Sequence, residues 1–232
     1  MDLTYNINNF VDKIFLITTV NSKRIDYIKN NLYKHNINYD FIIAPDAKLI
    51  NKDITVHCPG ITGESTHVIS LLSTHLSIIE YGIINELNSL CILEDDVYLM
   101  DNFDNEMELF LRNVPEYWDV INLAKTGHTS NITGNKINNY VQEMLCENCQ
   151  YNSCAFTLFN KSIFNVYKDI LMDIKDNFTQ PVDILLKRIE HDKKYFCFTS
   201  VNKFITALSY RDDYDLRYLD GLETKFNSEI HP

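Results

Sequence analysis

Positive charge is scarce in this chain of 232 residues. Its 21 lysines and arginines face 32 aspartates and glutamates, for a formal net charge of -11 and a pI near 5.0. That balance argues against a nucleic-acid backbone or an anionic membrane as the main partner. A nucleotide stays open, because a divalent cation can bridge acidic side chains to phosphate. The opening "MDLTYNINNF" has no basic stretch and no apolar run, so no secretory leader is expected. No segment reads as long enough to span a membrane, and a cytoplasmic location is the expectation. Internal repeats and linker-like composition are also missing, which predicts one domain over 1–232 with an irregular tail from about 211. Asn and Ile are used heavily, as an AT-rich genome would produce.

Cysteine is present six times, at 58, 91, 146, 149, 154 and 197. Cys91 and Cys197 lie in strand-like runs and read as small buried apolar residues. "CENCQYNSC" (146–154) is the one cluster. No second CxxC or HxxxH supplies the remaining ligands of a zinc site, so free thiols are expected there, with zinc or a disulfide as the alternatives.

The chain alternates strand and helix. "KIFLITTV" (13–20) reads as a buried strand, followed by a helix with Ile25, Ile28 and Leu32 on one stripe and Ser22 as its N-cap. "YDFIIAP" (39–45) is a second strand. Residues 65–87 place Val68, Leu72, Leu76, Ile79 and Ile83 on one face of a long helix. "LCIL" is the next strand, "MELFLRNVP" a short helix ended at Pro115, and "DVINLA" (119–124) another strand. Gly127 to Asn139 is a polar connection. Then come "CAFTLF" (strand), "SIFNVYKDILMDI" (helix), "PVDILLKRIEHD" (helix) and "YFCFTS" (strand). This order predicts an α/β fold with a mostly parallel central sheet flanked by helices.

The stretch with most chemistry is "LCILEDDVYLMDNF" (90–103), where an apolar strand runs into Glu94, Asp95 and Asp96. Ligands of open α/β sheets bind outside the carboxyl ends of strands. Carboxylates crowded there repel, and Mg²⁺ or Mn²⁺ shared with phosphate oxygens relieves them. An acidic turn with Asp101 or Asn102 capping the next helix is the plainer reading; it accounts for Asp101 better than for the triplet.

"ILEDDVYLMDNF" resembles the acidic motif of glycosyltransferase family 25. "KIFLITTVNSKRIDYI" is similar to that family's opening strand, loop and arginine, "FIIAPDA" to its Ala-x-Asp segment, and "LLSTHLSIIEYGI" to its Ser-His-Leu helix. "AFTLFNKSIFNVY" and "PVDILL" continue the likeness, which spans roughly residues 13–190. The resemblance implies a GT-A-type, Rossmann-like fold, a UDP-linked sugar donor, a divalent metal (Mn²⁺ or Mg²⁺), a glycan or protein hydroxyl as acceptor, and inversion at the anomeric carbon. The chain differs from the family's pattern at Thr18-Thr19, where Asn-Leu is usual, at Arg24, one residue early, and at Val68, where a Glu is usual.

Asp95 and Asp96 are metal and diphosphate candidates, with Glu94 beside them. Thr18, Thr19 and Arg24 sit where backbone amides and a cation can meet the nucleotide; a solvated helix residue is the alternative for Arg24. Asp46 is a base or ribose contact, or a turn residue. Asp183 is the candidate catalytic base, or a charge complementing a helix dipole. His75 reads as a core histidine, and His128, Asp212 and Asp213 as possible third metal ligands. Two other functions remain open: a nucleotide-sugar-binding protein without turnover, and a metal-dependent phosphohydrolase, against which stands the lack of a DxDxT motif.

Overall fold

The computed structural model describes residues 5–46, 55–56, 66–124, 134–144, 153–173, 178–202 and 204–207. Its helices are α1 (Ile7–Phe10), α2 (Ile25–Lys34), α3 (Thr66–Ile84), α4 (Phe103–Asn113), α5 (Lys161–Met172) and α6 (Val182–Glu190). Its strands are β1 (Lys13–Thr18), β2 (Asp40–Ile43), β3 (Thr55–Val56), β4 (Ser89–Glu94), β5 (Val97–Leu99), β6 (Val120–Asn122), β7 (Val141–Glu143), β8 (Phe156–Asn160), β9 (Phe178–Thr179), β10 (Cys197–Ser200) and β11 (Ile205–Ala207).

Seven strands form the central sheet in the order β2-β1-β4-β8-β6-β10-β7. β2, β1 and β4 pair in parallel, as do β6 and β10, while β8 runs antiparallel to both its neighbours and β7 antiparallel to β10. Five strands therefore end at one edge of the sheet, and the start of β8 lies at that same edge.

Strand residues alternate between two apolar layers. Ile14, Leu16, Cys91 and Leu93 face a core completed by Ile28 and Leu32 of α2 and by Phe103, Met107 and Phe110 of α4. Phe15, Ile17, Leu90 and Ile92 face the other core, with Leu72 and Ile79 of α3, Ile163 and Tyr167 of α5, and Leu185 and Ile189 of α6. Burial on both faces explains why β1 and β4 read as continuous apolar runs.

Several expectations need correction. Within α3, His67–Ile84 does reach membrane-span length, with a mean hydropathy of 1.3; its apolarity serves the packing of Leu72, Ile78 and Ile79 in the core. Ser22 does not cap α2: the N-cap is Arg24, and Ser22 Oγ accepts from the Arg24 N–H instead. Asn102 is the N-cap of α4 but makes no side-chain capping bond, and Asp101 pairs with Lys34 at 2.6 Å. The strand expected over 39–45 shortens to β2, an edge strand with Phe41 and Ile43 exposed. Strands β5, β7 and β11 were not expected. Cys146, Cys149, His128, Asp212 and Asp213 lie outside the described residues.

Candidate active site

Register builds the site. β1 and β4 are parallel with Ile17 opposite Glu94, so the next residues out, Thr18 and Asp95, stand side by side at the carboxyl edge. Thr18 Oγ1 donates to Asp95 Oδ2 at 2.5 Å. Arg24, at the entry of α2, donates from Nε and Nη2 to Asp95 Oδ1 at 3.2 and 2.7 Å. Both oxygens of Asp95 are thus engaged, which fixes the turn after β4 against the loop after β1. The side chain of Asp95 is 8% exposed and that of Arg24 is 42% exposed, so the guanidinium reaches from solvent into the edge of the site.

Asp96 is buried and its Oδ1 has no hydrogen-bond partner. Burial pushes its carboxyl up to about 6; Arg24 pulls the other way and Asp95 adds to the rise. An orphaned carboxylate oxygen at a strand end is what a hard cation shared with a ligand would complete. Asp96 fits that role more directly than Asp95.

Glu94 turns elsewhere. Its Oε1 accepts from Cys154 Sγ at 3.0 Å and lies 4.0 Å from His75 Nε2. Burial raises its carboxyl to about 8, helped by the negative charges of Asp96, Asp183 and Asp95 and opposed by the Cys154 hydrogen bond. Cys154 stands at this edge because β8 is antiparallel and begins where β4 ends. Burial and the charge of Glu94 push its thiol far above the ordinary range. His75, on α3, is fully buried; its Nδ1 lies 3.2 Å from the Tyr167 hydroxyl, and burial lowers its pKa to about 3. It is a core histidine, as expected, yet it also lines the acidic site.

Asp183 lies in the first turn of α6, with Oδ1 accepting from the Ile184 N–H. Burial raises its carboxyl, and its charge acts on Glu94 and Cys154, so it belongs to the same cluster. Thr19 and Asp46 are exposed at the ends of the β1 and β2 segments, on the same edge. Ser70 Oγ donates to the Pro45 carbonyl at 2.6 Å and ties that segment to α3. Sequence reasoning missed Cys154 as a neighbour of Glu94 and His75 as part of the site. Positions 75, 94 and 154 carry no shared spacing signal; the reversed direction of β8 brings Cys154 to Glu94, and α3 brings His75.

Solved structures similar to this chain include three of related chemistry by their names. UDP-glucose pyrophosphorylase complexed with UDP-glucose aligns at 11% identity over 93% of this chain and 98% of that one, with a TM-score of 0.48. A glycosyltransferase involved in the glycosylation of the major capsid of PBCV-1 aligns at 10% identity over 71% and 68%, with a TM-score of 0.38. A mutant Drosophila galactosyltransferase in complex with manganese, UDP-Gal and xylobiose aligns at 11% identity over 92% and 79%, with a TM-score of 0.33. No curated protein matches. The sequence profile of Glycosyltransferase family 25 (LPS biosynthesis protein) matches residues 11–210. With a match over residues 11–210, most of its length, the chain belongs to glycosyltransferase family 25 and is a glycosyltransferase.

Proposed function

We propose that the chain, acting as one domain, moves a sugar from a UDP-type nucleotide-sugar donor to a hydroxyl of a glycan or protein acceptor, with inversion and with Mn²⁺ or Mg²⁺. The observation that carries this reading is the buried, unpartnered Oδ1 of Asp96 beside an Asp95 already held by Thr18 and Arg24. Strands from both halves of the chain share one sheet, which supports the single-domain reading.

Asp96 would hold the cation, with Asp95 orienting the turn that presents it. The cation, when bound, supplies Lewis-acid stabilisation of charge on the departing diphosphate. Arg24 engages Asp95 through Nε and Nη2 and retains Nη1 for an anion. Thr19 and Asp46 line the nucleotide side. Asp183 takes the proton of the acceptor hydroxyl; burial raises its affinity for that proton, as a base working near neutral pH requires.

The test is calorimetric titration of UDP with and without Mn²⁺. The wild-type chain should bind at least tenfold tighter with Mn²⁺, and Asp96→Asn should lose that gain while keeping its fold by circular dichroism. Binding that ignores Mn²⁺, or a gain that survives in Asp96→Asn, sinks the reading. Proton NMR of the first-formed product from an accepted donor reports inversion directly.

A further inference from the structure

Glu94 is engaged by Cys154 and faces His75, and these surroundings differ in chemistry from the carboxylates around the proposed diphosphate cation. One ligand atom from each of His75, Glu94 and Cys154 lies within 4.8 Å of the other two. Two of the separations are 3.0 Å (sulfur to oxygen) and 4.0 Å (nitrogen to oxygen). Ligand atoms around a tetrahedral zinc-like ion sit roughly 3.3–3.6 Å apart, given metal–ligand bonds of about 2.0–2.3 Å. Small side-chain adjustments would bring the three into that arrangement.

A second observation stands apart from the clustering. His75 is fully buried, and its Nε2, facing Glu94, has no hydrogen-bond partner. An imidazole nitrogen left without a partner in a core is costly. The other ring nitrogen lies against the Tyr167 hydroxyl, itself buried and stacked on Phe159 at 4.8 Å. With Nδ1–H donating to that hydroxyl, Nε2 presents its lone pair to Glu94 and Cys154; an outer partner of this sort orients metal-bound histidines.

We infer that His75, Glu94 and Cys154 form a binding site for a borderline-soft divalent cation of the zinc class, separate from the cation proposed at Asp96. A mixed nitrogen, oxygen and sulfur set selects against Mg²⁺ and Mn²⁺, which prefer oxygen alone. Three protein ligands leave a position for water or substrate. The supporting elements are rigid: α3 carries His75, the end of β4 carries Glu94, and Cys154 enters β8. Binding would displace the proton of the Cys154 thiol and, where Glu94 is still protonated, the proton of its carboxyl as well.

The test uses Co²⁺ alone as the probe, added anaerobically to the full chain after chelation and reduction. The wild-type chain should develop a near-ultraviolet thiolate-to-cobalt band and the visible bands of tetrahedral cobalt at one ion per chain, and zinc should bleach both. Cys154→Ala should lose the charge-transfer band, whereas Cys146→Ser with Cys149→Ser should keep it. No band in the wild type, a band surviving Cys154→Ala, or a band lost in the Cys146 and Cys149 variant overturns the site. X-ray absorption of the cobalt-loaded wild-type chain needs no variant: one sulfur with nitrogen and oxygen supports the assignment, and a shell without sulfur defeats it. The Asp96 reading is tested by UDP binding, so either can fail alone.

Discussion

Glu94 keeps its proton up to about pH 8 in the native chain, whereas the unfolded chain releases it near 4.5. Between those values the native state binds more protons than the unfolded one, so this residue makes stability fall as pH rises. His75 works in the other direction: neutral when folded, it favours the native state increasingly as pH rises through 6.5, and its contribution is complete above that. The Asp96 contribution ends near pH 6. Across the window from about pH 6.5 to 8 the His75 contribution no longer changes and Glu94 continues to lower stability. Metal-free protein should lose at most about 2 kcal/mol across it, at about 1.4 kcal/mol per pKa unit, and Glu94→Gln should flatten the decline in thermal melts followed by circular dichroism. Asp183→Asn addresses turnover: kcat should fall roughly 10²–10⁴-fold, the range of general-base removal, with UDP affinity unchanged in the calorimeter. Unchanged kcat would remove Asp183 from the chemistry. The placement of the candidate residues was partly legible in sequence. The strand-end triplet and Arg24 announced themselves by position, but which oxygen of which carboxylate stays unpartnered depends on Thr18 and Arg24 reaching Asp95. No periodicity encodes that.

Elements were more legible than residues. β1 and β4 showed as apolar runs and α3 and α5 as amphipathic stripes, because burial on one or both faces writes a period into the sequence. β5, β7 and β11 have three residues each, too short to carry a period, and they exist through pairing. Asn31 illustrates the point: it bonds both the N–H and the carbonyl of Leu99, so α2 grips β5 through a buried amide. Gly82 sets how closely α3 approaches its neighbours. A methyl added there would sit 2.9 Å from Leu90 Cδ2 and 3.0 Å from Phe164 Cε2, both buried. Gly82→Ala gains about 1 kcal/mol of helix propensity but overpacks the core at a cost of about 1–3 kcal/mol. The expected net loss of up to about 2 kcal/mol would appear as a lower urea midpoint; a raised midpoint would show that α3 has room to move.

At the scale of the whole molecule, strand and helix order predicted the α/β class and the direction of most strands. It did not reveal that β8 runs backwards between β4 and β6, which depends on connections through segments of no regular pattern. Nor did it reveal that β2 ends the sheet. "DFII" looks like a core strand, yet Phe41 and Ile43 are 41% and 53% exposed. Among the described residues no strand pairs with its outer side. An open strand edge carrying apolar side chains is a template for adding another copy. At neutral pH a net charge of -11 keeps copies apart. Near the pI of about 5.0 that repulsion disappears while the edge remains. Light scattering should therefore rise sharply as the protein is brought to pH 5, and Ile43→Lys should suppress the rise. The same edge strand would then decide how the protein must be stored and crystallised: its colloidal behaviour would hang on four residues at the rim of the sheet.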